Sequence, residues 1–311
     1  MVNYNCINYV SGLFDSLSKQ TLQDYEILVF NNKSEDGSLE KIKGICPQAK
    51  IFEMGGNTGF SKPNNEGIRQ ASGDYVLCLN FDIILENTFL EEMVKSIKRD
   101  PQIGWVAGKM LRLTVNGKSA DIDCLGHHMT KSRYAVERDY SKPFSWNDYT
   151  ESSFVFGASA CAALYRKEML HDIAIDGEYF DEDFFAYFED VDLDWRAQLR
   201  NWRCQYSPKA VGYHARYGTG LVNNPEIAGC LLSNRIFMMI KNDSIMHIAT
   251  DIWPIILRTF ADYKEYLKHN PRAVLVAIKR LLVLIPKIYK KRNYIQKRKI
   301  VTDDYIRNLI K

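Results

Sequence analysis

The sequence predicts an α/β protein with a mostly parallel central sheet flanked by helices. Short apolar runs, Glu26–Phe30 (EILVF) and Tyr75–Leu79 (YVLCL), alternate with helical patterns around Leu39–Ile45 and Asn64–Ala71. That alternation is the mark of β-α-β units. The runs also end on polar residues. Val2–Asn3 leads into Tyr4–Asn5, Phe30 into Asn31–Asn32, Leu79 into Asn80–Phe81–Asp82, and Tyr213 into His214. Ligands of open α/β sheets bind beyond the carboxyl ends of the strands, so these residues are where a ligand would be met. With 311 residues, 46% hydrophobic and 25% charged, the chain can build a large core.

Further strands are predicted at Phe154–Leu164, Trp202–Tyr206 and Ala210–Tyr213, and 114–153 reads as polar loop covering a site. Phe180–Trp195 (FDEDFFAYFEDVDLDW) reads as a helix whose buried stripe is Phe188, Val191, Trp195 and Leu199. Four carboxylates, Glu189, Asp190, Asp192 and Asp194, crowd into six residues of it. A carboxylate desolvated beside Phe184, Phe185, Tyr187 and Phe188 becomes a better proton acceptor. Asp82, just past a strand, is an oxygen ligand suited to Mg²⁺ or Mn²⁺. His127 and His128 read as loop residues, and Asp121 and Asp123 as solvated turn positions. Asn57–Thr58–Gly59–Phe60 matches neither the Walker nor the dinucleotide phosphate-loop spacing.

Residues 241–311 read as a separate helical, basic region behind a body of residues 1–240. Ile248–Leu267 and Ala273–Tyr289 are helical in pattern, with Pro254, Pro271 and Pro286 marking starts or breaks. From Lys264 onward there are 14 Lys or Arg against 3 acids, whereas the preceding residues carry a net charge of −8. The run Lys287–Lys299 predicts attachment to an anionic membrane surface. An acidic body with cations confined to one tail argues against nucleic acid as partner. Seven scattered cysteines, odd in number and without a C-x-x-C pair, predict a reducing compartment. Met1 leads into VNYN with no basic or apolar leader segment, which also predicts a cytoplasmic location.

Six segments in order, VNYN (2–5), FNNKSEDGS (30–38), NTGFSKPNNEGI (57–68), GDYVLCLNFD (73–82), FGASACAALYRKEML (156–170) and FDEDFFAYFEDVDLDWRAQLRNW (180–202), resemble glycosyltransferase family 2. This is the inverting family of GT-A fold, and the likeness is to its rhamnosyltransferase-like branch of bacterial surface-polysaccharide synthesis. The resemblance implies Asp190 as catalytic base paired with Glu189, and Asp82 and His214 as ligands of Mg²⁺ or Mn²⁺. It implies a nucleotide-sugar site of Asn3, Asn5, Asn31, Gly59, Asn65 and Asn80. It further implies a nucleoside-diphosphate sugar donor and a polyprenyl-diphosphate-linked glycan or polysaccharide acceptor, at the inner face of the plasma membrane. Asn31 stands where the family usually has Asp, and Asn80 where it often has the first acid of D-x-D. Family members carry several apolar residues ahead of the VNYN position, so a shortened first strand is expected here. Two other readings are a catalytically impaired scaffold subunit and a sugar-phosphate nucleotidyltransferase. The second would want a Gly-rich, basic loop that VNYNCINY lacks.

Overall fold

The computed structural model describes residues 1–145, 148–216 and 224–311. Residues 146 and 147 of the predicted covering loop lie outside the described residues. In chain order the first half runs β1 (Val2–Asn3), α1 (Ile7–Ser18), β2 (Leu28–Asn31), α2 (Ser38–Ile45), β3 (Lys50–Glu53), α3 (Ser61–Gln70), β4 (Tyr75–Leu79), β5 (Ile83–Leu85) and α4 (Phe89–Ile97). There follow β6 (Ile103–Thr114), β7 (Gly117–Cys124), β8 (His127–Met129), β9 (Ala135–Glu137), β10 (Ser153–Val155), β11 (Ala162–Arg166) and α5 (Lys167–Ile173). The chain closes with α6 (Glu189–Leu199), β12 (Arg203–His214), α7 (Pro225–Asn242), α8 (Ile245–Thr250), α9 (Ile252–His269), α10 (Pro271–Arg298) and α11 (Asp303–Leu309).

The α/β class stands. β1, β2 and β3 pair in parallel, and so do β6 and β12. β11 runs antiparallel between β4 and β6. Helices cover the sheets through the buried faces of α1, α4 and α5, with Leu13, Phe14, Met93, Ile97 and Met169 all inside the core. β1 spans only two residues and pairs with β2 at Val2–Phe30 and Asn3–Asn31. Between β2 and β4 lies a cavity of about 560 Å³, lined by Met1, Leu28, Phe30 and the edge residues Tyr75–Leu79.

Four elements differ from the sequence expectation. Residues 114–153 are not irregular: they end β6, form β7, β8 and β9 and open β10. Their polar residues alternate across paired strands, which a reading for apolar runs misses. Phe154–Leu164 is two strands, β10 and β11. Trp202–Tyr206 and Ala210–Tyr213 are halves of one strand, β12, whose register with β6 shifts between Ser207 and Val211 around Pro208. Pro286 does not end its helix. It sits inside α10 on the exposed side, where the carbonyl of Leu282 can turn to water.

The C-terminal region is built into the body. Ile288, Ile295, Ile306 and Ile310 are buried with Trp195, Leu199 and Phe237. Lys291 is buried and donates to Asp181 Oδ1 at 2.5 Å and Asp183 Oδ2 at 2.7 Å. Arg292 caps the carbonyl of Asp243 at 2.7 Å, and Arg298 reaches Asp172 at 3.1 Å. Much of the basic run read as a membrane tail is thus spent on internal acids. No helix among the described residues is long and apolar enough to cross a membrane.

Candidate active site

The carboxyl ends of β1, β4 and β12 and the start of α6 meet around an open cavity of about 980 Å³. Of the residues predicted for the site, Asn5, Gly59, Asn80, Asp82, Glu189, Asp190 and His214 all line it. Asn3, Asn31 and Asn65 do not. Asn3 and Asn31 are buried and bond each other at 3.0 Å, with Asn31 also donating to Glu53 at 2.8 Å. Asn65 is buried and ties down the segment before α6, accepting from Phe180 N at 2.8 Å and donating to Phe180 O at 2.8 Å.

His214 ends β12 and faces two carboxylates. Its Nδ1 is 2.9 Å from Asp123 Oδ2, and its Nε2 is 3.3 Å from Asp82 Oδ2. Burial disfavours the imidazolium, but the two carboxylates prevail and lift the ring to about 9. Asp123 is not a solvated turn position. It is fully buried in β7, pairs with Arg216 as well, and is held below the ordinary aspartate value despite its desolvation. Its partner lies 91 residues further along, so no local pattern could reveal it.

The four acids of α6 part company once the helix is formed. Asp190 lines the cavity, its Oδ2 accepting from Ala160 N at 3.2 Å and its Oδ1 from Val191 N at 2.8 Å. Glu189 is buried against the cavity wall. Desolvation, with Asp190 and Asp192 nearby, drives its carboxyl well above the usual range. Asp192 and Asp194 point inward. Asp192 accepts from Arg196 at 3.0 Å, Lys241 at 2.8 Å and Asn242 at 2.8 Å. Asp194 Oδ2 is 3.0 Å from His127 Nδ1.

His127 is therefore no loop residue. It lies buried in β8, with Glu137 Oε2 3.7 Å from its Nε2, and the flanking acids raise it to about 10. Cys124, His127 and Glu137 place ligand-type atoms within 4.8 Å of one another. Glu137 is already paired with Arg216 at 3.0 Å.

The backbone entering α6 is strained. Phe185, Tyr187 and Phe188 all have positive φ, at 64°, 69° and 66°. Asn234 of α7 holds this stretch, its amide nitrogen lying 2.8–2.9 Å from the carbonyls of Phe184, Ala186 and Tyr187. Gly59 holds it from the other side. It has φ of 82°, and a Cβ there would come 2.4 Å from Phe185 O.

Residues 1–174 match the family described as glycosyl transferase family 2. The chain belongs to that family. Among curated relatives of this family 2 chain, poly-beta-1,6-N-acetyl-D-glucosamine synthase of Staphylococcus aureus (strain COL) is 29% identical over 211 residues, 66% of this chain and 47% of the relative. The chain spans about half the length of the curated relatives it matches. Among solved structures, S. aureus TarS 1–349 in complex with UDP-GlcNAc superposes with a TM-score of 0.59 at 19% identity, covering 99% of this chain and 88% of that one. GalNAc-T7 with UDP, GalNAc and Mn²⁺ gives 0.60 at 13% identity, over 77% and 46%. These likenesses establish the GT-A fold.

Proposed function

We propose that this family 2 protein is an inverting glycosyltransferase of cell-surface polysaccharide synthesis. It would move a sugar from a nucleoside-diphosphate donor to a hydroxyl of a polysaccharide or lipid-linked acceptor at the inner face of the plasma membrane. One observation carries the reading: Asp190 and the Asp82–His214 pair open into the same 980 Å³ cavity, large enough for a nucleotide sugar. Asp190 takes the acceptor's hydroxyl proton. The freed oxygen attacks the anomeric carbon from the face opposite the leaving group, and the nucleoside diphosphate departs with the bonding electrons. One base and no carboxylate nucleophile give inversion.

Glu189 is buried at the cavity wall beside Asp190, where desolvation raises its carboxyl and disfavours a second charge. The residues fit a divalent cation. Asp82 offers a carboxylate and His214 its Nε2, while Asp123 secures the other ring nitrogen, the usual outer partner of a ligating histidine. Mg²⁺ or Mn²⁺ bound there would neutralise charge on the donor's diphosphate. The relatives' names favour N-acetylglucosamine over the rhamnose of the branch that the sequence resembles.

Asp190→Asn tests the base. Transfer should fall by about 10²–10⁴, while UDP or dTDP still raises the melting temperature of the purified chain in the presence of Mn²⁺. Loss of that nucleotide shift would remove Asp190 from the base role. A wild-type chain stabilised by no nucleoside diphosphate would point instead to a catalytically impaired scaffold subunit.

A further inference from the structure

Fourteen of the 21 large hydrophobic side chains exposed among the described residues fall between Ile245 and Tyr294. Single exposed apolar residues are ordinary, whereas a contiguous patch marks a contact surface. On α9 the exposed positions Trp253, Ile256, Leu257, Phe260 and Leu267 recur at helical spacing along one stripe. Trp253 is 71% exposed and Phe260 65%. On α10 the corresponding stripe is Leu275, Ile278, Leu282, Val283 and Tyr289. The opposite sides of both helices are satisfied inside the protein, through Ile255 on α9 and Ala273, Val274, Ala277 and Ile288 on α10.

Charge identifies the occupant. Residues 252–298 hold 12 Lys or Arg and 2 acids, and both acids lie on α9 and are paired, Asp262 with Arg258 and Glu265 with His269. α10 has no acid at all. Lys264, Lys268, Arg272, Lys279, Lys290 and Lys297 are exposed and join no ion pair among the described residues. A two-fold pairing of this face with a second copy would set cations against cations. An anionic lipid surface satisfies both halves of the pattern, since apolar side chains enter the headgroup boundary while Lys and Arg stay at the phosphates.

We propose that the outward face of α9 and α10, not the distal tail, is a docking surface for an anionic bilayer, with both helices lying in the membrane plane. This rests on the membrane part of the proposed function and gives it a surface. Lys287, Lys291, Arg298 and Lys299 are engaged with Asp183, Asp181, Asp172 and Asp303 and are unavailable to a leaflet.

The test is flotation of the full chain with vesicles of phosphatidylcholine, alone or mixed with phosphatidylglycerol. The chain should float with the anionic vesicles and leave them as salt rises. Phe260→Ser with Leu282→Ser should lower the bound fraction about tenfold, and Lys279→Glu with Lys290→Glu should do at least as much. Melting temperatures should hold, because all four side chains are exposed. A chain that stays in the soluble fraction with both vesicle types would overturn the proposal. So would undiminished flotation of the Phe260/Leu282 variant, or sedimentation showing a dimer that this variant dissolves. The nucleotide-induced melting shift, read on the same samples, separates the two readings. Lost flotation with the shift intact condemns only the surface, and a missing shift with flotation intact condemns only the transferase.

Discussion

His214 and His127 are both buried in the wall of one cavity, and each stands between two carboxylates that raise its basicity. In each, Nδ1 is held by a fully buried aspartate, Asp123 for His214 and Asp194 for His127. They differ at Nε2. His214 looks onto Asp82, whose only ion-pair partner among the described residues is that histidine. His127 looks onto Glu137, already neutralised by Arg216. In the first pair Asp82 and His214 Nε2 face the open cavity, where a cation could enter, while Arg216 bonds both Asp123 and Glu137. The second is a closed structural contact. What the far nitrogen meets separates the proposed ligand His214 from the brace His127.

Breaking the first pair should have the largest effect. His214→Ala, or Asp82→Asn, should abolish the cation dependence of nucleotide binding and cut transfer by roughly 10³-fold, more than the 10–100-fold typical of outer-shell changes. Circular dichroism and the melting temperature should change little. If nucleotide binding stays cation-dependent in both variants, the ligand assignment is wrong. His127→Ala should do the reverse. It leaves Asp194 buried without its partner, and stability should fall by about 3 kcal/mol in urea unfolding, with cation dependence kept. Asp123→Asn sits between the two. It should weaken Mn²⁺ by roughly 10–100-fold, measured by calorimetry, while His214 still binds.

The smallest effect is a pH dependence. His127 is raised from about 6.5 to about 10 in the folded protein. Its contribution is fully present below pH 6.5 and drains away as pH climbs through 10. The urea midpoint should therefore slope downward over that window, and His127→Gln should flatten the slope. An unchanged slope in the variant would assign the alkaline loss to other groups.

Part of the site was legible in the residues. Tyr75–Leu79 is a strand with those very bounds, because a short apolar run between Gly73–Asp74 and Asn80 permits little else. Phe188, Val191, Trp195 and Leu199 are the buried stripe that their spacing predicts. Asp82, Asp190 and His214 share a cavity because all three follow or begin elements whose ends converge. The acid cluster was legible only as a density. Helical rotation sends Asp190 to the cavity and Asp192 to Lys241 and Arg196, a division that depends on where α7 packs.

Local periodicity and the polar strand ends thus determined on their own the α/β class and most helices, whereas Asp190 as candidate base and His214 as candidate ligand came from the resemblance to glycosyltransferase family 2. The tertiary structure alone decided what Asp123, His127 and Asn234 do, since their partners lie 91, 67 and about 50 residues away. It also decided that the basic tail is largely consumed by the body, and that the free cations and bare apolar stripes lie on α9 and α10. Composition reports how many charges a segment carries. Only packing determines which of them have already met a partner.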